Sequence, residues 1–115
     1  MSSQLRIKRV FDPAEPSDGT RVLVDRMWPR GVRKQDAHID LWLKELAPST
    51  ALRKWFAHDP ERWTEFKRRY DHELRNQREA VERLQALASR GTVTLIYSAR
   101  DEAHNQARAL AELLG

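Results

Sequence analysis

Apolar positions in this chain fall into short strand-like runs set among longer stretches of helical periodicity. Leu5-Arg-Ile-Lys-Arg-Val-Phe11 begins by alternating, which predicts a first strand that stops at Asp12-Pro13. Asp12 to Thr20 carries two prolines, a glycine, a serine and two aspartates and reads as a loop. Val22-Leu-Val24 is unbroken, so the second strand, Arg21 to Asp25, is expected to be central and buried on both faces. Val93-Thr-Leu-Ile-Tyr97, rich in β-branched and aromatic residues, predicts a last strand. Between these lie helical stripes: Trp63, Phe66, Tyr70 and Leu74; then Val81, Leu84, Leu87 and Ala88; and finally Ala103, Ala107, Leu110 and Leu114. Leu41 to Leu46 is ambiguous. Ile39, Trp42, Leu43 and Leu46 fit the helical template, while Leu41 and Leu43 also fit a strand.

Turn and cap residues divide these segments. Pro29 keeps Trp28 out of helical geometry, and Gly31 permits a left-handed turn, so a sharp corner is expected after the second strand. Ser49 or Thr50 is placed to cap a short helix through Leu52, Trp55 and Phe56. Asp59 and Pro60 read as cap and first helical residue of the next. Asn76 and Glu79 suggest a capping box that splits the long helical tract in two, with Gly91 closing the second half. Asp101 is expected to cap the last helix, with His104 one turn inside it.

Strands alternating with helices predict an α/β fold: a small three-layer domain spanning 1–115, with a mostly parallel sheet of three or four strands and helices on both sides. Hydrophobic residues at 40% and charged residues at 33% fit a globular domain rather than a disordered chain. No cysteine is present, which excludes disulfides, thiolate nucleophiles and thiolate metal sites. Met1-Ser-Ser-Gln-Leu-Arg-Ile-Lys8 has no apolar core of a leader, and no run approaches the roughly 18 apolar residues of a spanning helix, so no membrane contact and a cytoplasmic location are expected. The net charge of +4 favours an anionic ligand or partner. Its densest run, Lys67-Arg-Arg69, lies among Glu65, Asp71 and Glu73 and reads as a solvated helix face.

In α/β layer structures, ligands collect beyond the carboxyl ends of parallel strands, where helix N-termini also present unpaired N–H groups. Asp25, Arg26, Trp28 and Arg30 follow the second strand, and Ser98, Arg100, Asp101, His104 and Asn105 follow the last. If those strands are parallel neighbours, Arg26, Arg30 and Arg100 converge as an anion site. Ser98, Asp101 and Asn105 would complete the binding set, Trp28 would line its wall, and Asp25 or His104 would be the acid or base of any reaction. The alternative is structural, with Arg26 or Arg30 paired to Asp25 or Asp101 to tie the loops together. His58 is expected to order the turn before Asp59. Its spacing from His38 and His72 matches no ligand motif, so neither a metal nor another cofactor is expected. Trp42, Trp55 and Trp63 fall on apolar faces and read as core rather than as a nucleic-acid stacking platform. Glycine-rich phosphate loops, G-x-S-x-G and His-Glu-x-x-His are all absent.

These segments resemble YeaO-like bacterial proteins of the domain-of-unknown-function 488 family from about Leu5 to Leu114. The resemblance rests on Arg21-Val-Leu-Val-Asp-Arg-Met-Trp-Pro-Arg-Gly31, Leu41-Trp-Leu-Lys-Glu-Leu-Ala-Pro-Ser49, Lys54-Trp-Phe-Ala-His-Asp-Pro60 with Arg62-Trp63, and Tyr97-Ser-Ala-Arg-Asp-Glu-Ala-His-Asn105. It implies an extended element at Leu41 to Leu46 and assigns no activity. The resemblance also implies longer relatives with cysteines at positions that correspond to Tyr97 and Asn105, and because this chain has no cysteine, thiol chemistry, including a rhodanese-like sulfur transfer, does not carry over. Two functions remain in view: a small phosphate- or carboxylate-bearing ligand in the strand-end cleft, or a nucleic-acid or protein adaptor using the basic helical surface. The sequence assigns no oligomeric state.

Overall fold

The computed structural model describes residues 5–115, so the first four residues of the segment that lacks a leader pattern lie outside the described residues. Strands β1 (Leu5–Arg9), β2 (Thr20–Leu23), β3 (Leu41–Trp42) and β4 (Val93–Tyr97) form a parallel sheet in the order β1-β4-β2-β3. Helices α1 (Lys34–Ala37), α2 (Thr50–Phe56), α3 (Trp63–Leu74), α4 (Arg78–Arg90) and α5 (Gln106–Leu114) connect or follow the strands. The α/β fold with a parallel sheet is as expected.

Strand alternation divides the core between the two sheet faces. Val22, Val24, Val93, Leu95 and Tyr97 pack against Leu52 and Phe56 of α2, Phe66 and Tyr70 of α3, Leu84 of α4 and Leu110 of α5. Leu23 and Ile96 face the other way, onto Val10 and Ala37, with Trp28, Val32, Ile39 and Trp42 packed at the edge. The third layer is therefore thin, a single turn of helix and two tryptophans. All five residues of β4 are buried, as its position between β1 and β2 requires.

The helical periodicity of Ile39 to Leu46 proves misleading, and the extended element implied by the family resemblance is present. Asp40 N–H donates to Arg21 O and Leu43 N–H to Leu23 O, so this backbone is hydrogen-bonded to the edge of β2. Ile39 and Trp42 belong to one core cluster and Leu43 and Leu46 to the other. A set spaced like one helical face thus serves both faces of the sheet, and between Ile39 and Leu46 only Lys44–Leu46 coils, as a 3-10 turn.

Other expected boundaries shift. β1 ends at Arg9, although Val10 N–H still reaches Tyr97 O, and Phe11 is exposed. β2 begins at Thr20 and ends at Leu23, with Val24 N–H donating to Ile96 O before Asp25 turns away. The Asp12–Thr20 loop contains a 3-10 turn, Pro16–Asp18. Ser49, not Thr50, caps α2 by accepting from Leu52 N–H. Asp59 accepts from Glu61 N–H, and Pro60 opens a 3-10 turn leading into α3. The break before α4 is present, but its N-cap is Gln77 and no capping box forms. Asp101 does not cap α5. Its Oδ1 accepts from Ala103 N–H and His104 N–H in a tight turn, which postpones the helix until Asn105 caps it through Arg108 N–H. Ala103 and His104 therefore precede the helix.

Candidate functional site

The register Val22↔Leu95 and Leu23↔Ile96 brings the carboxyl ends of β2 and β4 side by side, so the two arginine-bearing turns meet. Asp25, only 8% exposed, joins them: Ser98 Oγ donates to its Oδ2 at 2.6 Å, and Gln106 Nε2, from the first residue of α5, donates to its Oδ1 at 2.5 Å. Trp42 Nε1 donates to Asp25 O at 2.7 Å and fixes its backbone from β3. Burial pushes the Asp25 carboxyl above its ordinary range, and the bonds from Ser98 and Gln106 together with the Arg53 charge only partly offset it.

Beyond Asp25 opens a cavity of about 250 Å³ whose wall includes Arg26, Trp28, Arg30, Arg53, His58 and Ser98. Gly31, at φ 75°, turns the chain so that Trp28 Nε1 donates to Val32 O at 2.7 Å. The indole meets Trp42 edge-on at 5.6 Å, with Lys34 Nζ 5.8 Å from its ring. Arg26 Nη2 donates to Pro48 O at 3.0 Å, which pins one guanidinium to the loop before α2. Arg53 lies on α2, and His58 follows it, where Ala57 and His58 both take left-handed backbone at φ 49° and 55°. Arg100 lies outside this cavity, in an open hollow that it lines with Arg9, Phe11, Arg30 and Ser98.

Three residues anticipated for the site are placed elsewhere. Asp101 Oδ2 lies 3.0 Å from His104 Nδ1, and that bond leads the effects lowering the Asp101 carboxyl below its ordinary range. The His104 ring stands edge-on to Trp63 at 5.3 Å. Asn105, 2% exposed, donates from Nδ2 to Asp101 O while its Oδ1 caps α5. None of the three lines the cavity.

Conversely, Arg53, His58 and Gln106 line it without having been anticipated. Asn105 is as good a cap type as Asp101, and starting the helix there would have put Gln106 at its first position, beside the strand ends. Arg53 has no such signal, since it occupies an ordinary polar position of a short helix. Among the described residues, no group of three or more His, Cys, Asp or Glu side chains is arranged to hold a metal ion.

Asp25 accepts from neutral donors. Arg26, Arg30, Arg53 and Arg100 make no ion pair among the described residues. These features define a parallel α/β domain with a basic cleft at the carboxyl ends of its strands. Residues 4–115 match the family model described as the inactive DUF488-N3 subclade, and the chain belongs to that family. It is 44% identical to the uncharacterised protein YeaO of Escherichia coli over 110 residues, 96% of each chain. Uncharacterised proteins of Mycobacterium tuberculosis and Mycobacterium bovis are also 44% identical over 112 residues, 97% of this chain and 94% of theirs. No solved structure matches it. Among the described residues, no helix is long and apolar enough to cross a membrane.

Proposed function

We propose that the protein is a single-domain binder of a small molecule bearing a phosphate or carboxylate, held in the cleft between the Asp25–Arg30 turn and Ser98. The observation that carries this reading is the charge imbalance of the wall. Arg26, Arg30 and Arg53 face one carboxylate, and that carboxylate is engaged by Ser98 and Gln106. Guanidinium groups with no acidic partner are suited to planar, bidentate recognition of an anion. The family description, inactive, favours binding over turnover. The position of His104 outside the cavity removes one of the two anticipated acid–base residues and leaves Asp25, with His58 of the wall beside it.

The basic helical surface supports the adaptor reading less well. Arg68 and Arg69 both pair with Glu65, at 2.6 and 2.8 Å, and Lys67 lies 3.5 Å from Glu112. Glu65 is held down to about 2 by bonds from Arg68 and Arg69, so both guanidiniums keep an ionised carboxylate partner at neutral pH. The test is a thermal-shift screen of phosphorylated and carboxylated metabolites. A binder raises the melting temperature by mass action, and Arg30→Ala and Arg53→Ala each remove the shift. A shift that instead depends on Lys67, Arg68 and Arg69 and collapses with salt points to the adaptor.

A further inference from the structure

Two large apolar side chains stand exposed among the described residues, Phe11 at 53% and Met27 at 70%. Both sit at the carboxyl ends of the strands. Met27 is in the wall of the inner cavity, and Phe11 borders the outer hollow of about 530 Å³ with Arg9, Arg30, Ser98 and Arg100. Arg30 and Ser98 border both spaces, so the two lie side by side.

The Phe11 ring is backed by a guanidinium. Arg9 Nε donates to Ala99 O at 2.9 Å and its Nη2 to Ser98 O at 3.3 Å, which fastens that guanidinium across the end of β4. Fixed there, it lies 5.0 Å from the Phe11 ring centroid. A cation against one face orients the ring and leaves the rest of it to solvent. A bare phosphate or small carboxylate needs no such platform.

We infer that the ligand of this cleft is a nucleotide, its phosphate against Arg30 and Arg53 and its base stacked on the open side of Phe11; this rests on the anion-cleft reading above. The inner cavity, about 250 Å³, is below the usual size of a whole-ligand pocket but suits a phosphate. The outer hollow offers the remaining volume beside an aromatic face and two more guanidiniums, Arg9 and Arg100. Stacking on an aromatic ring is available to every base, so the class is nucleotides rather than one base.

Calorimetric titration of the full-length protein with AMP, GMP, ribose 5-phosphate and a 5′-phosphorylated single-stranded tetranucleotide tests this. Both mononucleotides are expected to bind about tenfold or more tightly than ribose 5-phosphate. Phe11→Ala should erase that margin without weakening ribose 5-phosphate, and Phe11→Trp should keep it. The tetranucleotide distinguishes a free nucleotide from a strand end, according to which binds more tightly. Equal affinity for mononucleotides and ribose 5-phosphate, unmoved by Phe11→Ala, overturns the nucleotide inference and leaves the anion cleft standing. If no phosphorylated compound binds, the inference also falls, and the cleft reading survives only where a carboxylate still gives an Arg30-dependent thermal shift.

Discussion

Ser98 Oγ donates to Asp25 Oδ2 at 2.6 Å, a bond that closes the seam between the ends of β4 and β2 across 73 residues of sequence. The carboxylate it serves has no cation in hydrogen-bond contact. Its other oxygen takes Gln106 Nε2, so β2, β4 and α5 are joined at one buried group. Such a junction holds the cleft's two sides at a fixed separation, which is what an anion site built from residues on separate turns requires.

Ser98→Ala removes a donor from a buried acceptor, and the expected cost is about 1–3 kcal/mol. The Asp25 carboxyl, already pushed up by burial, should rise further once the Ser98 bond is gone. Urea denaturation at neutral pH measures the first effect, and an NMR titration of the Asp25 carboxyl measures the second.

Asp25→Asn should alter the pH dependence of stability in a defined direction. Because the folded-state pKa of Asp25 lies above its ordinary value, the folded protein holds that proton more tightly than the unfolded chain. This contribution to stability is present at low pH and is lost as pH rises through the folded-state pKa. An asparagine still accepts from Ser98, and its amide donates to Gln106 once that side chain turns its oxygen inward. The variant should therefore gain on the parent as pH climbs from the ordinary aspartate range, and the gain should level off above the folded-state value. Denaturation midpoints across that range check it; a difference independent of pH counts against it.

His104→Ala separates a structural role from a catalytic one. The side chain bonds Asp101 and abuts Trp63, in a partly exposed pair, so the loss of stability should be about 1 kcal/mol or less. Ligand-induced thermal shifts should be unchanged, since His104 does not line the cavity. Loss of those shifts in a variant that melts normally would return His104 to the site.

The contrast between Asp25 and His104 shows what was legible in the sequence. Val22-Leu-Val24 and Val93 to Tyr97 announced buried parallel strands, and parallel neighbours necessarily end together, so Asp25, Arg26, Arg30 and Ser98 could be assigned to one place. The last helix was less legible, because Asp101 and Asn105 are both good caps and only tertiary packing chooses between them. Choosing Asp101 moved His104 into a helix and hid Gln106. Ile39 to Leu46 misled for another reason: a strand flanked by coil served both sheet faces with helix-like spacing. Arg53 came from a helix whose docking no local pattern encodes.

Arg21 belongs to the same sequence motif as Arg26 and Arg30 but sits at the opposite end of β2, and its variants should affect folding alone. Arg21 is 4% exposed; Nη1 lies 2.6 Å from Asp18 Oδ2, while Nε and Nη2 donate to His38 O and Ala37 O at 3.0 Å. Asp18 also meets Lys8 Nζ at 2.9 Å and accepts from Glu15 N–H. Burial acts to raise the Asp18 carboxyl, but Lys8, Glu15 N–H and Arg21 outweigh it and hold it below its ordinary range. A lowered carboxyl stabilises the fold above the ordinary aspartate range, and that stability is lost as pH falls through the folded-state value. Arg21→Met strands two backbone carbonyls and half of this pairing, at an expected cost of about 3 kcal/mol in urea denaturation at neutral pH. Asp18→Asn should flatten the acid limb of the stability profile, and the Arg21→Met/Asp18→Asn pair should cost less than the sum of the two, since the double change leaves no buried carboxylate that has lost one of its two cations. Where these variants remain folded, the ligand-induced thermal shift should match the parent's. A shift lost with Arg21 would mean that the motif acts as one unit from end to end of the strand.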